Sequence, residues 1–383
     1  MASPPTSLSL THQNVHMVVL TGGPCAGKTS SLAIIQDHFQ SLGWRVFVVS
    51  EAASILLGGG INFPELNEKQ IFDLQCSIAR VMLTLEDTYL GIATNFTDGK
   101  PCLILCDRGV MDASVYCSKE IWKGILENLD QTEMSVKDNR YDGVVHMVST
   151  AQGAEQFYDL TNNPARKEGL DYARELDSKT LNAWVGHPRL LVVDNSTDFK
   201  EKVMRAVRGI CRIVNVEEPS DSITKRKFLV SAVHMDGMEC RDSECEYVYI
   251  LSSDDTQQRI RQRGIGGVHT YTHTTRTHKG PDRRVMERKR TLKHRDYENF
   301  FSQRDPSREI VKLLRKSFSY KENYFEVSIF KEPASTKGLV LMEVYHDKQS
   351  PLSMPTHAVD IVKEVTGDPK YSLFNLAAAQ KAA

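Results

Sequence analysis

No apolar run in the 383-residue sequence approaches the ~20 residues that cross a bilayer. The opening residues, MASPPTSLSLTHQN, have neither a basic start nor an apolar core, so no secretory leader is expected. Net charge is nearly absent, with 48 Lys and Arg against 49 Asp and Glu. No global field therefore draws the whole chain to nucleic acid, which is not an expected partner. Cysteine is sparse: eight residues are scattered along the chain, without the dense framework of a secreted domain. Internal repeats are missing as well. These absences predict a reduced, cytoplasmic protein whose contact with membranes, if any, is peripheral. The length suits two globular domains.

The texture changes once along the chain. From 15 to 215, five short apolar runs (HMVVLTG, RVFVVSE, CLILCDR, GVVHMVST and RLLVVDN) are separated by stretches with helical periodicity, such as 69–93 and 198–214. Unbroken Val, Ile and Leu predict strands buried on both faces. Strand then helix, repeated, predicts an α/β doubly wound parallel sheet. Residues 216–222 are acidic and polar with a proline, as a linker would be. From 223 to 378 the runs KRKFLVSAV, EYVYILSS, QQRIRQRGI, HTYTHTTR, NYFEVSIF and LVLMEVYH mostly alternate in period two. They predict an antiparallel sheet, curled or closed into a barrel, with a helix over 304–318.

VVLTGGPCAGKTSS carries the first site. Gly22-x-x-x-x-Gly27-Lys28-Thr29 fits the phosphate-binding loop pattern after a strand and before a helix. Gly22, Gly23 and Gly27 permit close approach of phosphate oxygens. The backbone N–H groups from Gly22 through Pro24, Cys25 and Ala26 to Ser30 form an anion cradle, proline supplying no donor. The following helix adds the positive end of its dipole. Lys28 would reach the β- and γ-phosphates, and Thr29 would hold Mg²⁺. Asp107 ends an apolar strand and is the expected acid on the Mg²⁺ side. Glu51, at another strand end, is a candidate base toward an accepting hydroxyl. Arg108, next to Asp107, is a further catalytic candidate, and Arg166 and Arg174 in a lid-like stretch are candidates to offset charge on a transferred phosphate. The guanine-reading N-K-x-D pattern is absent, so GTP and ATP both stay open.

With LTGGPCAGKTS, VVSEAA and LCDRGVMDASVY, residues 15–215 resemble the P-loop kinase-like domains of the ribosylnicotinamide kinase type.

The second site is basic. Arg259, Arg261 and Arg263 alternate along one strand, and Lys225 and Lys227 share a face likewise. A curled sheet lined by arginines needs anions, and phosphates match guanidinium geometry. Arg276, Arg288 and Arg290 are expected to line the same face. TKRKFLV, QQRIRQRG, ERKRTL, YFEVSIF, LVLMEVY and VTGDPKYSLFNLA resemble the CYTH, or triphosphate tunnel, family over about 223–378. That family's fold is an eight-stranded antiparallel barrel around a charged tunnel, and Glu343 falls where it places a tunnel carboxylate. Its E-x-E-x-K signature reads Ile223-x-Lys225-x-Lys227 here, and a later acid pair reads Glu343-Val-Tyr345. Metal needs carboxylates, so a phosphate-binding tunnel without triphosphatase activity is expected. The two halves together resemble the TRPL translocation defect protein family. That resemblance implies a GTP-binding, phosphoinositide-binding protein acting in the traffic of membrane proteins. The alternative is an ATP-dependent kinase for a nucleoside-like acceptor.

Overall fold

The computed structural model describes residues 14–62, 65–158, 169–216, 223–252, 256–279, 284–348 and 350–379. The chain divides into two compact units, Met1–Val214 and Asn215–Ala383.

In the first unit the five apolar runs are strands: β1 (Val15–Thr21), β2 (Arg45–Val49), β3 (Cys102–Asp107), β4 (Gly143–Met147) and β5 (Leu190–Val193). They pair in parallel in the order β2-β3-β1-β4-β5. Every residue of β3 is buried, as its unbroken apolar run requires. The helices are α1 (Lys28–Ser41), α2 (Ala52–Gly58), α3 (Glu68–Thr94), α4 (Lys119–Asn128), α5 (Glu133–Val136), α6 (Leu170–Trp184) and α7 (Phe199–Val214). A capping box between Asn67 and Gln70 starts α3. Along α7, Val203, Ala206, Val207, Ile210, Cys211 and Val214 are buried at helical spacing. Each large apolar side chain so buried contributes about 1.5–3 kcal/mol. The order β2-β3-β1-β4-β5 places the ends of β1, β2 and β3 side by side, so the loops that follow them share one edge of the sheet.

The second unit contains β6 (Ile223–Val233), β7 (Arg241–Ile250), β8 (Thr256–Ile265), β9 (Val268–Lys279), β10 (Arg284–Leu292), α8 (His294–Phe301), β11 (Val311–Tyr320), β12 (Asn323–Glu332), β13 (Val340–Asp347), β14 (Val359–Glu364) and α9 (Leu373–Leu376). The strands form one antiparallel sheet in the order β10-β9-β8-β7-β11-β12-β13-β6-β14. Two expectations are corrected. The helix over 304–318 is instead mostly strand β11, held between β7 and β12 in the sheet. Its run VKLLRKSF fits both periods, and pairing on both sides decides between them. The barrel is not closed: β10 and β14 end the order, and no ladder joins them among the described residues.

The sheet is nevertheless rolled. β9 and β6 are six strand steps apart, roughly 29 Å along a flat sheet. Yet after burial and Lys225, the charge of Arg276 on β9 also helps to hold the Lys227 ammonium on β6 below its usual value. Such an effect does not survive roughly three screening lengths, so the two strands face one another across an interior. Outer-face apolar residues pack in two clusters, one around Phe228, Phe318, Phe325 and Met342, the other under α8 around Ile260 and Tyr297. Part of the inner face is apolar too. Tyr247, Tyr249, Leu313, Phe330 and Leu341 are covered there by Tyr371, Leu373, Phe374 and Leu376.

Candidate functional site

The loop between β1 and α1 is built by close approach. A Cβ on Gly22 would stand 2.0 Å from the Met147 carbonyl oxygen, so no larger residue fits there. Gly22 and Gly27 have φ of 142° and 86°, and Cys25, which is not a glycine, has 54°. α1 starts directly after Gly27, so the N–H groups of its first turn have no acceptor within the helix. Lys28 folds back over the loop, its Nζ donating to the Gly22 and Gly23 carbonyls at 2.8 Å each. Burial, then the nearby Arg108, pushes its ammonium down to about 7.

Thr29 Oγ1 donates to Asp107 Oδ2 at 3.3 Å, so the two expected Mg²⁺ ligands meet. A hydroxyl and a carboxylate are hard oxygen donors, and Mg²⁺ commonly takes one or two such protein ligands together with phosphate and water. The residues fit the ion on those terms. Among the described residues no cluster of three or more His, Cys, Asp or Glu could form an all-protein cage. Burial raises the Asp107 carboxyl above its usual range, with Lys28 opposing.

Glu51 and Arg108 also converge here. Arg108 has φ of 70° and projects from the end of β3. Its Nε donates to Glu51 Oε1 at 2.6 Å and its Nη1 to the Gly22 carbonyl at 3.3 Å. Two cations, Lys28 and Arg108, therefore share one loop carbonyl. Burial works against the charge of Glu51, but Arg108 and Ser54 hold its carboxyl below the usual range. A carboxylate so held is a weak base. Arg174 is held at the loop after β4. Its Nε donates to the Ala151 carbonyl at 2.7 Å, and its terminal nitrogens pair with Asp171 and Glu155. Arg166 lies outside the described residues.

In the second unit, residues opposite one another across a ladder share a face. The registers place Lys225 and Lys227 of β6, Arg259, Arg261 and Arg263 of β8, and Arg276 of β9 on the inner face with Glu343 of β13. Arg288 and Arg290 do not join them. They stand opposite Thr275 and His273, on the outer face, and both are exposed. Their neighbours Glu287 and Lys289 point inward instead, opposite Arg276 and Thr274. The expectation was displaced by one residue, which in a strand inverts the face. Arg315 was missed because β11 read as helix, and Glu326, on the strand β12, was not singled out. They lie on the inner face and pair at 3.3 Å.

Among the described residues the inner face thus carries a surplus of cations, those six with Lys289, Arg315 and, opposite Ser317, Arg241, beside the carboxylates Glu287, Glu326 and Glu343. The three acids are already engaged. Glu343 lies 2.6 Å from Lys225 Nζ and 3.2 Å from Lys227 Nζ, and Glu287 pairs with Arg276 and Lys289. Burial opposes ionisation of Glu343, but the two lysines hold its carboxyl far below the usual range. The Nε atoms of Arg259, Arg261 and Arg315 are buried without a hydrogen-bond partner. Buried donors that lack partners beside a surplus of positive charge suit an anion. Glu287, Glu326 and Glu343, each paired with a cation, are not free for a divalent ion.

Residues 17–202 match a family model described as an AAA domain, and the first unit is a P-loop domain of nucleotide-binding type. No curated protein matches the chain. Among solved structures it is similar to the inorganic triphosphatase NE1496, at 21% identity over 43% of this chain and 99% of that one, with a TM-score of 0.31. It is similar also to PH1819 from Pyrococcus horikoshii, at 11% identity over 35% of this chain and 81% of that one, TM-score 0.25. A third likeness, PH1012 from the same organism, has 14% identity over 35% of this chain and 83% of that one, TM-score 0.24. None of these three bears on the activity of this chain. Among the described residues, no helix is long and apolar enough to cross a membrane.

Proposed function

We propose that this is a nucleotide-dependent regulatory protein with two anion sites, in domains spanning 15–215 and 223–378. The P-loop takes Mg²⁺ with GTP, and the inner face of the rolled sheet takes a phosphoinositide headgroup or another polyanion. The observation that carries the reading is the inner face itself: a surplus of cations, the engaged carboxylates Glu287, Glu326 and Glu343, and three orphaned guanidinium Nε atoms. Such a face attracts phosphates, and the engagement of Glu287, Glu326 and Glu343 argues against the metal that hydrolysis would need. Cations near an anionic leaflet add ~1 kcal/mol each, which suits a cytoplasmic protein peripheral on membranes. GTP and a role in membrane-protein traffic follow the family resemblance of the whole chain.

The kinase reading is favoured by one observation, the placing of Glu51 and Arg108 beside the Gly22 carbonyl, against which stands the weak basicity that Arg108 imposes on Glu51. Competition of GTP and ATP, with Mg²⁺, against a fluorescent guanine nucleotide separates the two. The regulatory reading expects GTP to compete at least tenfold better, and no acceptor to be phosphorylated. Tighter ATP, together with phosphorylation of a nucleoside that Glu51→Gln abolishes while sparing nucleotide binding, would replace it with the kinase.

A further inference from the structure

The outer rim of the P-loop is fastened by a buried carboxylate to which the nucleotide reading assigns no part. Asp177 lies on α6, 4% exposed, and accepts the Gly23 N–H at 2.6 Å. It also accepts the N–H of Ser149, whose own Oγ donates to the Pro24 carbonyl. A closed ring of hydrogen bonds results: Gly23 to Asp177, Ser149 to Asp177, Ser149 to Pro24. His146 of β4, fully buried, brings Nε2 to 3.3 Å from the same carboxylate oxygen. Packing is as tight as the bonding, because a Cβ on Gly23 would fall 2.6 Å from Asp177 Oδ1.

The ring grips the loop just before a residue of constrained backbone. Cys25 has a left-handed φ of 54° without being a glycine, and its carbonyl accepts the Thr150 N–H at 3.4 Å. Backbone held this way persists only where its surroundings over-determine it. A carboxylate suits the task better than a neutral side chain, since its two oxygens accept several donors at once. α6 grips the loop after β4 a second time through Arg174 and the Ala151 carbonyl. Two turns of one helix thus tie two loops together.

We infer that Asp177 is a positioning residue for the nucleotide: it fixes the first peptides of the loop so that the N–H groups after Pro24 face the phosphates before ligand arrives. The inference rests on the P-loop being a nucleotide site. The test titrates a fluorescent guanine nucleotide, with Mg²⁺, into wild type, Asp177→Ala and Asp177→Asn. Asp177→Ala is expected to raise Kd at least tenfold, with one site per chain and an unchanged ratio of GTP to ATP affinity. Asp177→Asn, which keeps an acceptor for Gly23, should raise it less than alanine does but more than twofold. A Kd within twofold of wild type in both variants would overturn the inference, as would fewer sites at unchanged Kd. If alanine prevents folding, the asparagine variant alone decides by the same twofold limit. A wild-type protein that binds no nucleotide would remove the P-loop reading as well, an outcome distinct from a silent variant.

Discussion

Lys28→Ala is expected to weaken Mg·GTP binding by at least a hundredfold while leaving the fold intact. The side chain is poised on the Gly22 and Gly23 carbonyls at 2.8 Å, within the loop that cradles the phosphates. A hydrogen bond to a charged group contributes about 1.5–3 kcal/mol, so removing two such bonds to phosphate reaches the stated factor. Wild type adds a pH signature. In the free protein, burial and Arg108 bring Lys28 down to about 7. Bound phosphate favours the charged ammonium, so binding takes up a proton. Affinity should therefore fall as pH rises above 7, by at most about tenfold per unit. Equilibrium titration of both proteins at several pH values checks each part. An affinity independent of pH would mean that the ammonium is charged in the free protein throughout.

Arg259→Ala combined with Arg261→Ala is expected to cut headgroup binding by a hundredfold or more and to leave nucleotide binding unchanged. Both guanidinium groups lie on the inner face of β8 with buried, unpartnered Nε atoms. Each offers an anion about 1.5–3 kcal/mol. Removing two like charges from a crowded surface should not lower the melting temperature. The control comes from register. Arg288→Ala with Arg290→Ala removes the same formal charge from the outer face, where Arg290 packs over Phe300. Binding of a soluble inositol polyphosphate should stay within twofold in that control. Equal losses in the two double variants would mean that net charge, and not the inner face, binds the anion.

The strands of the first unit could be read from sequence because buried parallel strands are continuous apolar runs. The loop could be read because phosphate cradling demands glycine and lysine at set spacing. Legibility failed where a side chain's role is set from a distance. Asp177 lies 154 residues from the glycine it holds, and no local pattern marks it. Lys202 is similar: it is buried on α7, with Nζ donating to the Ala26 and Val148 carbonyls and to Asn195. In the second unit, Arg259, Arg261 and Arg263 announced their shared face because three in alternation leave no doubt of phase. Arg288 and Arg290 did not, because ERKRTL has cations in both phases and only the pairing with β9 chooses. The segment 304–318 misled for a related reason. Its leucines and cations satisfy a helix, and the neighbours β7 and β12 that make it a strand are distant in sequence.

Two anion sites in one chain is the central claim, and sequential titration of the wild-type protein tests it most directly. Mg·GTP is added to saturation first, then a soluble inositol polyphosphate as the headgroup probe. The account predicts one nucleotide per chain, followed by one headgroup whose affinity is unaffected by chelating free divalent cation and whose binding displaces no nucleotide. Displacement of the nucleotide one for one by the headgroup, or the absence of a second binding event, would contradict it.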